Sequence, residues 1–140
     1  MRLYAESSAV LSWLLEEKTG AGVGAALSGA SRVLSSELTL LECDRVLIRA
    51  VALGAIAEPQ AHERRAVLHR ATRRWDLLRV AKPVIERACT AFPVEPLRTL
   101  DALHLATALL AAKRVRELVM LTRDKRLREN AQAFGLPVLP

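Results

Sequence analysis

A chain of 140 residues has the size of one domain and can bury a core without disulfides or a structural metal. At 51% hydrophobic and 26% charged it is not disordered, and its apolar runs fall short of the roughly 18 residues a membrane helix needs. The net charge of +6 permits a polyanionic partner such as nucleic acid without selecting one.

Alanine and leucine supply most of the apolar side chains and aromatics only 4%, so helix should predominate in a single domain spanning residues 1–140. Arg2–Glu6 reads as a short strand, with Ser7 or Ser8 capping an amphipathic helix that begins near Ala9. Glu6 then stands at the strand's C-terminal end. Glu6, Glu16 and Glu17 interrupt the region where a secretory signal would need an unbroken apolar core. Gly20, Gly22 and Gly24 are spaced loosely like a phosphate loop, but no strand precedes them and no lysine follows at the required distance, so a short helix around Val23–Leu27 is expected.

Ser31–Ser35 is a second short strand, closed by serines that cap a helix from Glu37 to Leu53. Apolar residues fall on most sides of that helix, which predicts that neighbours largely cover it. Glu42 on it must therefore be paired, protonated or metal-bound, with Arg45 and Arg49 as available ion-pair partners. Glu58–Pro59 opens the most basic helix, which carries Arg64, Arg65, Arg70, Arg73 and Arg74. These five are the candidate phosphate contacts; a merely solvated face is the alternative. Trp75–Val80 alternates like a strand, and Pro83 starts a helix to about Ala91.

Leu97–Ala112 is an apolar helix with leucines around most of its circumference, so it belongs at the centre of the domain. Thr99 is its expected N-cap. Asp101, His104 and Thr107 make one narrow polar stripe, with Asp101 in the first turn and His104 expected to hydrogen-bond within the core. Glu117–Thr122 is an apolar strand suited to the middle of a parallel sheet, Asp124 follows it, a charged helix runs from Arg123 to Phe134, and Pro137–Leu139 is a last short strand. Cys43 and Cys89 match no metal or redox spacing and read as reduced thiols, consistent with a cytoplasmic protein. Trp13 and Trp75 fit the core or a subunit contact better than base stacking.

Strands alternating with helices on short connections imply a three-layer α/β/α sandwich around a mostly parallel sheet. Ligands gather outside the C-terminal strand ends of such sheets, where Glu6 and Asp124 lie. Asp101 and Glu42 converge from the helical side. Four carboxylates so gathered repel one another, and a hard divalent cation, Mg²⁺ or Mn²⁺, is the common remedy for an all-oxygen set. Such a cation activates water for attack at a phosphodiester.

Four segments in this order, Tyr4–Val10, Ser36–Glu42, Leu97–Ala108 and Leu121–Leu127 followed by Gly135–Leu139, resemble the PIN domain of the VapC toxins over nearly the whole chain. The resemblance implies that Glu6, Glu42, Asp101 and Asp124 hold Mg²⁺ or Mn²⁺, with Thr122 and Ser7 supporting them by hydrogen bonds. It also implies endonuclease action on single-stranded RNA, a cognate VapB antitoxin and a homodimer. One position departs from the pattern, since Glu6 stands where the family carries Asp, and the extra methylene moves the carboxylate outward by about 1.5 Å. That departure motivates the alternative of a catalytically weak module that binds RNA or a protein. A phospho-accepting receiver domain also gathers acids at strand ends, but it does not place one inside a helix.

Overall fold

The computed structural model describes residues 1–18 and 20–140. Five strands, β1 (Arg2–Ala5), β2 (Arg32–Ser36), β3 (Asp76–Leu78), β4 (Leu118–Leu121) and β5 (Val138–Leu139), pair in the order β3-β2-β1-β4-β5. Every pairing is parallel. β1 lies in the middle, and its register sets Leu3 beside Val33 and Val119 and sets Tyr4 beside Leu34 and Met120. Because successive residues point to opposite faces, these two rows found two cores. Leu3, Ala5, Val33 and Leu121 pack under α1 (Ser7–Leu14), α2 (Gly20–Gly29), α3 (Glu37–Ala52) and α4 (Glu58–Thr72). Tyr4, Leu34, Leu118 and Met120 pack under α5 (Lys82–Ala88), α6 (Thr99–Ala112) and α7 (Lys125–Ala133). The result is the expected α/β/α sandwich, with α6 buried along most of its length.

Four local expectations change. The α1 cap is Glu6 rather than Ser7 or Ser8, because its carboxylate accepts the Ser8 N–H and lets both serines enter the first turn. Thr99 is the first helical residue of α6, and Arg98 occupies the cap position without a side-chain bond. The third strand shrinks to Asp76–Leu78, since it pairs only with β2 and has no partner on its outer side. Finally, α3 is covered on one face only: Thr39, Cys43 and Leu47 are buried, while Leu41 and Ile48 are exposed.

Gly20 opens α2 in close contact with α1. A Cβ on Gly20 would lie 2.2 Å from the Ser12 carbonyl oxygen, so only glycine admits this approach. Among the described residues no helix is long and apolar enough to cross a membrane.

Candidate active site

β1 and β4 are adjacent and parallel, so their C-terminal ends bring Glu6 and Thr122 together although 116 residues separate them. The Glu6 carboxylate is nearly sealed, at 2% exposure, and has four donors. Ser7 Oγ (2.6 Å) and the Ser8 N–H (3.0 Å) donate to one oxygen; Thr122 Oγ1 (2.8 Å) and Ser8 Oγ donate to the other. The longer glutamate stem is what lets this side chain cap its own helix and still reach Thr122. Ser8 Oγ accepts the Arg123 N–H (2.9 Å), and Thr122 Oγ1 accepts the Asp124 N–H (3.1 Å). The β4–α7 corner is thereby tied to α1.

Asp124 is the N-cap of α7, accepting the Leu127 N–H at 2.9 Å. Asp101, in the first turn of α6, is half-buried. Its carboxyl is held above the usual carboxylate range by burial first, then by the negative charges of Asp124 and Glu6; His104 and Arg98 oppose this in part. Three acids from three distant segments therefore act on one another at the same end of the sheet.

Glu42 arrives from α3. It pairs not with Arg45 or Arg49 but with the His104 Nε2, and it also lies 3.1 Å from Ser7 Oγ. His104 is completely buried, and its Nδ1 is 3.2 Å from the Tyr4 hydroxyl. Burial, followed by the charge of Glu6, pushes the Tyr4 phenol far above its ordinary range, so it remains a hydroxyl. A polar chain thus runs Tyr4, His104, Glu42, Ser7, Glu6, Thr122.

The structure collects Glu6, Glu42, Asp101, Asp124, Ser7 and Thr122 in one neighbourhood and separates the basic stretch from it. Arg64 pairs with Glu16 (2.6 Å), beyond the far end of α1, and Arg65 pairs with Asp44 (3.2 Å). Arg74 lines a cavity with Ser31, Arg32 and Trp75 at the opposite, N-terminal end of β2. Arg70 and Arg73 are exposed on the last turns of the same helix. The cations beside the acids are instead Arg98, whose charge acts on Asp101, Arg123, next to Asp124, and Arg128, which donates to the Thr122 carbonyl (3.1 Å). Sequence reading missed these, and also Ser8 and Tyr4. A signal for Tyr4 was present, since it lies two residues before Glu6 on the same strand face.

A divalent cation fits the donor chemistry: every acid is an oxygen donor, and the mutual repulsion that raises Asp101 is what a cation relieves. As they stand, no three His, Cys, Asp or Glu side chains among the described residues converge closely enough to enclose one. Glu6 is the reason on the β1 side, because its oxygens already face hydroxyls.

Residues 3–133 match the PIN domain family model. The chain belongs to the PIN domain family. Ribonuclease VapC46 of Mycobacterium tuberculosis is 34% identical over 137 residues, covering 98% of this chain and 95% of that protein. Ribonuclease VapC35 of the same species is 32% identical over 139 residues, covering 99% and 87%. In fold the PIN domain of this chain also resembles a structure of a toxin-antitoxin complex from Klebsiella pneumoniae, with a TM-score of 0.63 at 18% identity over 100% of this chain and 97% of that one.

Proposed function

We propose that this PIN-domain protein is the toxin of a toxin–antitoxin pair and acts as an endoribonuclease, dependent on Mg²⁺ or Mn²⁺, on single-stranded or looped RNA. The observation that carries the reading is the meeting of Glu6, Asp101 and Asp124, from β1, α6 and the start of α7, at the C-terminal edge of the sheet. Its relatives are named ribonucleases over nearly its full length.

Asp101 and Asp124 would hold the cation, with Glu6 and Glu42 beside them. When bound, that cation would lower the pKa of a water and stabilise charge on the scissile phosphate. The protein's own groups do the rest. Thr122 and Ser8 fix the Glu6 oxygens, the α7 cap holds Asp124 at the strand end, and Arg98 and Arg123 supply positive charge along the path of an RNA backbone. A homodimer and a VapB-like antitoxin are the proposed partners. The acids invite an inhibitor segment that places an Arg or Lys beside them.

One observation favours the weaker alternative of a module that binds RNA without cutting it: the Glu6 carboxylate already has four donors. A mixed RNA pool incubated with Mn²⁺ or Mg²⁺ separates the two. Cleavage abolished by chelator and by Asp101→Asn is expected; binding without cleavage under every metal would establish the alternative. Failure of an upstream-encoded small protein to co-purify or to inhibit would overturn the antitoxin assignment.

A further inference from the structure

We propose that His104 is a positioning residue that holds the Glu42 carboxylate in one orientation at the acidic site, with Tyr4 fixing the ring from behind. The inference rests on the endoribonuclease reading for its catalytic consequence and on geometry for its structural content.

Ser7 Oγ approaches two carboxylates, Glu6 at 2.6 Å and Glu42 at 3.1 Å, but a serine hydroxyl has one hydrogen. The shorter contact takes it. Glu42 therefore has one committed donor, His104 Nε2. The other candidates on α3, Arg45 and Arg49, are exposed and make no ion pair to it among the described residues. Without His104 a partly exposed glutamate with three side-chain torsions would be free to swing to solvent, away from Glu6 and Asp101.

The ring itself is prevented from turning. At zero exposure both ring nitrogens need partners. The arrangement that satisfies both has Nε2–H donating to the Glu42 carboxylate, while Nδ1 meets the Tyr4 hydroxyl at 3.2 Å. Tyr4 is rooted in the central strand and α6 supplies His104, so two elements of the core set the position of an acid on a third, α3. His104 touches no solvent, so it does not meet substrate.

The test pairs nuclear magnetic resonance with a double-mutant cycle on the full chain. In ¹⁵N spectra of the metal-free protein, His104 is expected to carry a proton on Nε2 that resonates far downfield. Glu42→Gln should move that proton upfield, and Tyr4→Phe should leave the Glu42 bond but broaden the Nε2 proton as the ring loses its second anchor. In single-turnover RNA cleavage His104→Gln, which keeps an N–H on a similar reach, should lose less than His104→Phe. The latter should lower kcat about 10- to 100-fold with KM unchanged, the usual range for a residue behind a site acid. Added to Glu42→Gln, His104→Phe should cost nothing further. A fully multiplicative double mutant, or a His104 ring proton indifferent to Glu42→Gln, overturns the proposal. Should the parent cleave no RNA with either metal, the ribonuclease reading fails, and the ring-proton result still decides whether His104 holds Glu42.

Discussion

Asp124 has two roles that a pair of substitutions can pull apart. Its carboxylate caps α7 through the Leu127 N–H at 2.9 Å, and its charge is among those that raise Asp101. Asp124→Asn retains an oxygen at the cap, and asparagine caps as well as aspartate, so that bond survives. The substitution loses the attraction between a negative charge and the helix N-terminus, about 0.3–1 kcal/mol, and relieves the repulsion of Asp101, which offsets part of that loss. The net change in stability of the metal-free protein should stay within about 1 kcal/mol. Asp124→Ala removes the cap as well, a further cost of about 1 kcal/mol, which for a chain of this length lowers Tm by about 3 °C relative to Asp124→Asn. Both variants should lose RNA cleavage on the order of 100-fold or more, because both remove the charge. Calorimetry in chelator and cleavage assays with Mn²⁺ measure the two sides. Equal Tm values for the Asn and Ala variants would refute the cap argument, and parent-level cleavage by Asp124→Asn would remove Asp124 from the chemistry.

Glu6→Asp should cost less stability than Glu6→Gln, because a neutral amide would replace the charged acceptor that four donors share, at about 1–3 kcal/mol; the reverse order in thermal melts would refute the four-donor account. Replacing Arg98 and Arg123 by Ala should lower the salt slope of RNA binding by about 0.7 per lost phosphate contact, more than replacing Arg73 and Arg74 does; an inverted result would return RNA to the α4 face. Cys89 is exposed and should react with a thiol reagent in the native protein, whereas Cys43, fully buried with its thiol pushed up to about 12, should react only after unfolding. Glu95 accepts the Phe92 N–H (3.0 Å) and the Leu97 N–H (2.7 Å), which hold its carboxyl below the usual range. Its contribution to stability is present above the unfolded carboxylate pKa and lost as pH falls through the lower folded value. Glu95→Gln should therefore flatten the acid limb of stability, and an unchanged limb would show that those bonds do not depend on its charge.

The order of strands and helices was legible because strand signals alternate with helix signals, and a parallel sheet admits few arrangements of such a chain. Three of the acids stood out for a related reason: Glu6 and Asp124 each stand just after a strand, and Asp101 opens an apolar helix, where a carboxylate is out of place; Glu42 lies on a helix that proved to be covered on one face only. The basic helix was legible as a charged face, but charge periodicity does not report which way that face points. Arg64 and Arg65 found partners in Glu16 and Asp44, which lie 48 and 21 residues away, and no local pattern reveals such pairs. The Tyr4–His104–Glu42 chain needed β1, α6 and α3 to be in place before it existed at all.

Glu6 is where the structure and the expected ligand set meet most directly, and the arrangement of its donors decides how they combine. One oxygen is held by the Ser8 backbone N–H, which cannot turn away, together with Ser7 Oγ. The other is held only by the hydroxyls of Ser8 and Thr122. Each of those two hydroxyl oxygens is itself pinned by a backbone N–H, from Arg123 and Asp124, so its position is fixed while its hydrogen can still rotate. Both hydroxyls can thus turn their hydrogens while those backbone N–H groups hold their oxygens in place. Under the proposed metal-dependent reading, the oxygen available to a cation would be this second carboxylate oxygen, and the helix cap would stay with the first.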